Sequence, residues 1–211
     1  ELKQRVYSFY AAQNRAVTIQ DYKAISYAMP PSFGAIHRCT FERDFDSFKR
    51  NLNMYVISKD KLGFLTATNS TIKENLKTWL SNYKMINDTI DIRDALVVNF
   101  GINFSIVADL EENRFNVLNL ATQRLRNFFA NQQYDITEPL YIVDIYKELN
   151  RVPGVIDVID VQILHKQGGV YSNTDFDFDS NLSVDGRYLN GEINTVFELK
   201  YPSDDVQGSV T

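Results

Sequence analysis

Cysteine and histidine are scarce in this sequence. Cys39 is the single cysteine among 211 residues, and His37 and His165 are the two histidines. One cysteine excludes an intrachain disulfide and a zinc site built from cysteines, and it suits a reducing compartment. With two histidines, catalysis that relies on an imidazole base has few places in which to arise.

The sequence also lacks long apolar runs and a large excess of one charge. No stretch approaches the roughly 18 apolar residues that a membrane helix needs, and residues 1–5 lack the charged-then-apolar order of a signal peptide. The formal net charge is −5, whereas a general nucleic-acid binder usually carries a basic face. We therefore predict neither a membrane nor a nucleic acid as a partner. Because the sequence has no initiator methionine and begins and ends abruptly, we interpret it as a piece of a longer polypeptide.

Aromatic residues are abundant. The chain contains 12 Tyr and 14 Phe, and 44% of its residues are hydrophobic, which is enough for a core without disulfides or metals. Tyrosine is favoured at protein contacts because its ring buries area while its hydroxyl stays in water. The same residues also suit the boundary of an ordinary core, and composition alone does not separate the two interpretations.

The first part of the chain alternates helical and extended patterns. Thr18 is a candidate helix cap, and Asp21 stands three residues on, which is the spacing of a capping box. Pro30 and Pro31 end that helix because proline cannot donate a backbone hydrogen bond. The patterns predict, in order, a helix from 17 to 29, strands at 35–41 and 53–58, and a second helix that begins at Ser70 or Thr71.

The clearest strand pattern follows. Apolar residues alternate with others from Leu96 to Ile106. One face of this strand should lie on the helices, while the other, which carries Asn99, Asn103 and Ser105, is more polar. Gly101 inside the strand indicates a bulge or a close backbone approach.

Two further helices and two further strands complete the prediction. A third helix places Phe128 and Phe129 inward, and a shorter fourth helix begins at Glu138-Pro139, since proline is tolerated in a first turn. Strands are predicted at 155–164 and 195–201. This order predicts an α/β (α+β) fold, with a mixed β-sheet, helices packed on it and a β-rich C-terminal extension. The predicted divisions are the end of an upstream element (1–16), a mixed α/β domain (17–166) and an extension of loops and strand (167–211).

The sequence offers two weak candidates for nucleophilic chemistry. His37 and Cys39 stand two apart in a predicted strand, where they share a face without the geometry that activates a thiolate. His165 ends a predicted strand beside Lys166, in a position typical of exposed residues. The sequence has neither a Gly-x-Ser-x-Gly elbow nor a glycine-rich phosphate loop.

The best metal candidate is the acidic run of Asp175, Asp177 and Asp179, which resembles the start of a calcium loop. The sixth position of such a loop requires glycine but is Ser180, and the twelfth requires glutamate but is Gly186. A strand edge with solvated acids is the favoured interpretation of this run.

Asp157 and Asp160 form a last candidate, since paired carboxylates can act as an acid and a base. They stand in a strand-like run, where solvent-facing acids are common. We therefore predict no catalytic residue, no cofactor and no metal, and a chain that is not an enzyme.

Three segments resemble the baseplate J-like family of contractile phage tails. Residues 14–22, NRAVTIQDY, are similar to its Arg-Ala-Val-Thr-x-x-Asp-Tyr stretch, and residues 35–39, AIHRC, to the strand segment that follows. Residues 149–158, LNRVPGVIDV, resemble its helix that ends in Pro-Gly-Val before a strand. The order of elements between these segments is also similar, so the resemblance covers roughly residues 14–166. Within the family, the resemblance is to the C-terminal part of the baseplate wedge proteins of T-even-like phages.

This resemblance implies a structural role in a virion. Proteins of this kind dimerise, join neighbouring wedges into a ring around the tail tube, and contact other baseplate proteins. The ring rearranges when the sheath contracts. The resemblance therefore implies a homodimer that also binds other wedge proteins and tail-tube or sheath-initiating proteins, in a phage tail baseplate assembled in the host cytoplasm.

An assembly part of this kind works through interfaces with apolar centres and polar rims. We predict interface residues at the end of the third helix and in the segment from Phe176 to Tyr188, namely Phe128, Phe129, Phe176, Phe178 and Tyr188. Two other functions stay open from the sequence. One is a metal-dependent α/β enzyme that uses the acidic run, and the other is a binding module that uses exposed aromatics.

Overall fold

The chain forms two compact units, which are divided in the sequence between Ala95 and Leu96. The structure, a computed structural model, describes residues 15–44 and 50–211. Each unit contains a mixed β-sheet and helices, which confirms the predicted α+β class. Two four-stranded sheets take the place of the single sheet that the sequence predicts.

Unit 1 contains helix α1, Ile19–Tyr27, whose predicted capping box is confirmed. The Thr18 hydroxyl accepts the Asp21 amide at 3.2 Å, and the Asp21 carboxylate accepts the Thr18 amide at 2.9 Å. The helix ends before Pro30, and a single 3-10 turn, Pro31–Phe33, follows. Because the prolines lack an amide hydrogen, the helical ladder cannot continue through them.

The sheet of unit 1 is centred on strand β2, Arg50–Lys59. This strand pairs antiparallel with β1 (Arg38–Arg43) and with the short β3 (Leu65–Thr66), and parallel with β4 (Asp88–Asp94). Helix α2 (Ser70–Ser81) connects β3 to β4. The sequence prediction omits β4 because its seven residues include two apolar ones, too few for an alternating pattern.

The helices of unit 1 are held to each other and to the sheet by buried contacts. Tyr22 and Leu80 lie in one apolar core with residues of β1, β2 and β4. The Trp79 indole N–H donates to the Ile25 carbonyl at 2.9 Å, and the Tyr22 hydroxyl donates to Asp88 at 2.7 Å. These bonds satisfy the polar ends of aromatic side chains whose rings are packed in or against the core.

The sheet of unit 2 is centred on strand β5, Leu96–Ala108. One edge of β5 pairs antiparallel with β7 (Val155–Lys166), and the other edge pairs parallel with β9 (Thr195–Glu198) and then with β10 (Val206–Val210). Helix α6 (Pro202–Asp205) separates β9 from β10. The predicted C-terminal extension therefore supplies one whole edge of this sheet.

Two longer helices, α3 (Arg114–Asn131) and α4 (Ile142–Asn150), pack on strands of this sheet. The fourth helix begins later than predicted, because Leu140–Tyr141 first form the short strand β6, which pairs with β8 (Tyr188–Leu189). The final predicted strand is shorter than expected and stops at Glu198. No helix in residues 15–44 and 50–211 is long and apolar enough to cross a membrane.

The two faces of β5 differ as predicted in its second half, but not in its first. Ile102 and Phe104 are buried, whereas Asn103 and Ser105 are half-exposed. Asn99, by contrast, is buried. The polar face of the strand is therefore covered around Asn99 and open further along.

Segment 167–175 covers this part of β5 and satisfies the Asn99 side chain. The Ser172 amide donates to the Asn99 oxygen at 2.8 Å, and the Asn99 side-chain nitrogen donates to Glu198 at 2.9 Å. The Ser172 hydroxyl donates to the Val97 carbonyl at 2.5 Å. A buried asparagine thus joins β5, β9 and the segment that follows β7, and its own hydrogen-bonding groups are paired.

Gly101 marks a close approach and not a bulge. A Cβ atom at this position would lie 2.7 Å from the Lys166 side chain and 3.1 Å from the Asp205 carbonyl oxygen. The register shifts between β5 and β7 occur further along, at Ser105/Ile106 and at Val107/Ala108. The Lys166 side chain is flexible and can move aside, so a side chain at position 101 would press mainly on the Asp205 carbonyl oxygen.

Candidate interaction surfaces

The two histidines lie in different units. In unit 1, Cys39 is buried on β1, and the His37 amide donates to the Ile57 carbonyl at 2.8 Å. In unit 2, His165 is half-buried, not exposed as its position predicts, and its ring packs on Phe178 with 5.1 Å between ring centroids. The Nε2 atom of each imidazole is buried.

The acidic run caps a short helix. Asp177 is the N-cap of α5 (Phe178–Asn181), where its carboxylate accepts the amides of Asp179 at 3.0 Å and Ser180 at 3.3 Å, and also the Ser180 hydroxyl. The bonds from Ser180 and from the Asp179 amide hold the pKa of Asp177 below its usual value. The predicted strand edge is therefore wrong, because the cap turns the chain. Among the described residues, no group of three or more His, Cys, Asp or Glu side chains could hold a metal ion.

The carboxylates of Asp157 and Asp160 are exposed on β7 and are used locally. Asp157 accepts the amide of Val158 at 2.8 Å, and Asp160 accepts the side-chain amide of Gln162 at 2.8 Å. Each acid hydrogen-bonds to its own strand, as expected of solvent-facing acids.

The five aromatic residues predicted for an interface stand in three different environments. Phe129 and Phe176 are buried and therefore add no exposed area. Phe128 packs edge-on against Phe129 and Phe178 against Phe176, at centroid distances of 5.0 Å and 5.6 Å, and both outer rings are half-buried. Tyr188 is exposed. Burial of Phe129 follows from its helical spacing, since an apolar stripe of a helix normally faces the core.

Tyr188 belongs to an exposed turn. Its ring lies 6.0 Å from that of Tyr141, its partner across β6 and β8. The turn that precedes it is closed by the Gly186 amide, which donates to the Ser183 carbonyl at 2.8 Å, and Val184 at the tip is fully exposed. Residues 182–188 together with Tyr141, here named the tyrosine turn, form one candidate contact surface.

A second exposed apolar surface lies where β5 leads into α3 and where β7 begins. The Asp109 amide donates to the Gly154 carbonyl at 2.9 Å, which joins the two loops. Isolated exposed apolar residues are common, but several at one place mark a contact site. Four large side chains are 87, 76, 62 and 57% exposed here, and we name them the apolar end of unit 2: Leu110, Phe115, Ile156 and Ile159.

A three-residue repeat explains the exposure of the two isoleucines. Residues 155–160 read Val-Ile-Asp-Val-Ile-Asp, and β7 slips by one residue against β5 within each repeat. Ile156 and Ile159 are the residues without a partner in β5 at these two slips. Because a bulge adds an unpaired residue, Val158 stays in the core while the isoleucines face solvent.

The two units carry opposite formal charge. Residues 96–211 contain 17 Asp and Glu against 8 Lys and Arg, a net charge of −9, whereas residues 1–95 contain 10 against 14, a net charge of +4. The apolar end lies in the acidic unit, and four exposed carboxylates stand next to it in the sequence, those of Glu111, Glu112, Asp157 and Asp160.

Unit 1 presents a smaller apolar feature with basic neighbours. The turn between β2 and β3 is closed by the Gly63 amide, which donates to the Asp60 carbonyl at 2.9 Å. Leu62 in this turn is 77% exposed, and the exposed Lys59 and Lys61 stand close to it in the sequence. Residues 59–63 are here named the lysine turn.

A buried carboxylate ties segment 167–175 to the sheet of unit 2. Asp205, on α6, accepts the Tyr171 hydroxyl at 2.7 Å and the Tyr201 amide at 3.0 Å, and the Lys166 ammonium lies 3.7 Å away. The hydrogen bond to Asp205, aided by desolvation and by nearby negative charge, raises the pKa of Tyr171 from 10.0 to about 12.

The hydrogen bond from Tyr171 to Asp205 predicts that the free energy of unfolding falls in strong alkali, where Tyr171 ionises. Because the pKa of Tyr171 is higher in the folded chain than in the unfolded one, its contribution is complete below about pH 10 and is lost as the pH rises to about 12. An ultraviolet titration of the wild type minus that of Tyr171→Phe isolates this ionisation, and we expect its midpoint near 12. Tyr141→Phe, which removes an exposed tyrosine, is the matched control. A midpoint near 10 for Tyr171 would contradict the hydrogen bond.

The chain consists of two units, each with a β-sheet and helices. A chain of similar fold occurs in a solved baseplate. No protein-family model and no curated protein matches the sequence. One solved structure of similar fold is a chain in the cryo-EM structure of the anti-feeding prophage (AFP) baseplate, 6-fold symmetrised, with a TM-score of 0.55 and 15% identity. The match covers 94% of this chain and 40% of that chain, so this chain spans less than half the length of its structural neighbour. At this identity, the likeness establishes a shared fold.

Proposed function

We propose that this chain is a structural subunit of a contractile-tail baseplate wedge. The observation that carries the proposal is the likeness to a chain of the AFP baseplate over 94% of the present chain. The resemblance of residues 14–22, 35–39 and 149–158 to baseplate J-like proteins supports it independently. An assembly part requires exposed apolar contact surfaces, and unit 2 has two of them, the tyrosine turn and the apolar end.

The finer proposal concerns the assembly. The chain dimerises and links wedges into a ring around the tail tube, within the baseplate of the virion, and the ring rearranges when the sheath contracts. Its other partners are further wedge proteins and tail-tube or sheath-initiating proteins. Among the predicted interface residues, Tyr188 has the exposure that such contacts need, while Phe128 and Phe178 expose part of their rings.

The alternative function, a metal-dependent enzyme, relies on the acidic run, and in this fold the central acid of that run is used as a helix cap. Asp177 uses both carboxylate oxygens within its own turn, since one accepts two backbone amides and the other accepts the Ser180 hydroxyl. Releasing those oxygens for a cation would remove the cap of α5. The geometry of the acidic run therefore favours a structural role for it.

Self-association tests the proposal. Light scattering after size-exclusion chromatography, over a concentration series, is expected to give a mass of at least twice 24.3 kDa. A subunit that binds its own copies must associate more as its concentration rises. A chain that keeps the mass of one copy at the highest concentration would contradict the proposed dimer.

A further inference from the structure

We infer that copies of this chain also bind head to tail, with the lysine turn of unit 1 in one copy seated on the apolar end of unit 2 in the next. This contact rests on the proposed function, which requires copies of the chain to assemble. It adds a second interface to the dimer and names the two surfaces that form it.

The apolar part of each surface is exposed and held in place. Leu62 stands in a turn closed by two backbone hydrogen bonds between Asp60 and its neighbours Gly63 and Phe64. At the other surface, bulges in β7 leave Ile156 and Ile159 unpaired within the strand and facing solvent. A projecting leucine and several exposed apolar side chains suit each other as the buried centre of an interface.

The charges around these apolar centres are complementary. In the lysine turn, Lys59 and Lys61 outnumber the exposed Asp60, whereas Asp157 and Asp160 each follow an exposed isoleucine. Within the part of the chain that the structure describes, neither these lysines nor these aspartates form an ion pair, so all four remain available to a partner. Opposite charges in the rim direct encounter and select the partner surface.

Charge also decides between a head-to-tail and a symmetric use of the apolar end. A symmetric contact would bring together the exposed carboxylates beside the apolar end of two copies, those of Glu111, Glu112, Asp157 and Asp160, whereas a head-to-tail contact sets them against the lysine turn. Like charges at an interface disfavour association. The apolar end of one copy therefore prefers unit 1 of another copy to a second apolar end.

A head-to-tail contact has the symmetry that a ring requires. It uses two different surfaces on each copy, and repetition of such a contact closes into a ring when the rotation between copies is suitable. The similar AFP chain belongs to a 6-fold symmetrised baseplate. In a six-fold ring with one copy in each sixth, neighbouring copies that touch do so through two different surfaces.

Charge reversal tests the contact directly. Light scattering of the wild type at low salt is expected to show a mass that continues to rise beyond the dimer as concentration increases. Either K59E with K61E or D157K with D160K should weaken this further association roughly tenfold, since two rim pairs become repulsive. The chain that carries both reversals should regain this association, because the pairs are attractive again.

Salt near 1 M should weaken the association of the wild type beyond the dimer, since salt screens exposed pairs.

Two controls separate docking from general charge and from folding. D175K with D179K makes the same change of charge at exposed positions of unit 2 away from the apolar end, and it should leave the association unchanged. I156S with I159S should weaken association while circular dichroism stays that of the folded chain, because both side chains face solvent. An equal effect of the D175K control would show a general charge effect and overturn the proposal.

The outcomes distinguish this inference from the proposed function. A wild type that stops at the dimer, or one whose further association is unchanged by the reversals, overturns the head-to-tail contact and leaves the proposed function in place. A wild type that remains a single copy at every concentration contradicts both. Loss of association in each single reversal, with recovery in the combined one, supports the contact.

Discussion

Replacing Gly208 with alanine is expected to lower the free energy of unfolding of unit 2 by roughly 3 kcal/mol. Gly208, in β10, is paired with Phe104 of the central strand. A Cβ atom at this position would lie 2.6 Å and 2.8 Å from the two Cε atoms of the Phe104 ring. The ring is buried, so it cannot yield without disturbing the packed core. Urea denaturation followed by circular dichroism measures the loss.

A double-mutant cycle tests whether this clash is the cause. The substitution Phe104→Leu removes the ring atoms that meet the new methyl group. In that background, Gly208→Ala should cost less than about 1 kcal/mol, because the space over the glycine is open. An equal cost in both backgrounds would contradict the proposed clash and would point to the backbone of β10.

Replacing Asp205 with alanine is expected to cost about 3 kcal/mol. The change leaves the partly buried Lys166 ammonium without its carboxylate, and it leaves the Tyr171 hydroxyl and the Tyr201 amide without their acceptor. Lys166 and Tyr171 are half-buried, so solvent replaces only part of what the buried carboxylate supplies, and the unpaired groups carry a cost of desolvation. Thermal and urea denaturation measure the change.

The neighbouring aspartate supplies the control for this experiment. Asp204 lies in the same short helix and has the same charge, but it is exposed. Asp204→Ala should therefore change stability by no more than about 0.5 kcal/mol. Similar losses in the two variants would show that the charge of α6, and not the buried contacts of Asp205, stabilises the sheet.

The helices and strands that the sequence predicts correctly are those whose own residues form an apolar periodicity or a capping pattern. Helix α2 and strand β5 have long apolar periodicities, and the capping box of α1 needs two side chains at a fixed spacing. Such signals are local, so they hold before tertiary contacts are known. The boundaries of the fourth helix and of the last predicted strand were less accurate, because strand pairing at Leu140–Tyr141 and the start of α6 decide them.

The elements missed from sequence depend on distant partners. Strand β10, with the sequence VQGSV, contains a glycine because the Phe104 ring lies over it, and that ring belongs to another strand. Asn99 looks like a residue of the polar face, yet it is buried because a later segment covers it. Neither fact is encoded near the residue itself, so periodicity does not reveal it.

The exposure of the candidate surfaces follows from the sequence to different degrees. Tyr188 lies on an exposed turn, in the segment that the sequence indicated. The apolar end was missed because strand alternation assumes regular pairing, and two bulges leave Ile156 and Ile159 unpaired within β7 and facing solvent. The repeat Val-Ile-Asp was the available signal, since a period of three in a strand conflicts with the period of two that regular pairing imposes.

The parallel pairing of β5 with β10 affects how the chain folds during synthesis. All the described strand pairs of unit 1 join residues between 38 and 94, so its sheet can close while later residues are still being translated. Ser105 and its partner Ser209, by contrast, are 104 positions apart. One edge of the apolar strand β5 therefore stays open until those residues leave the ribosome. Over that interval, about five seconds or more at ordinary rates of synthesis, this edge is exposed to wrong pairing and aggregation, and the pairing of β7 with the opposite edge does not cover it.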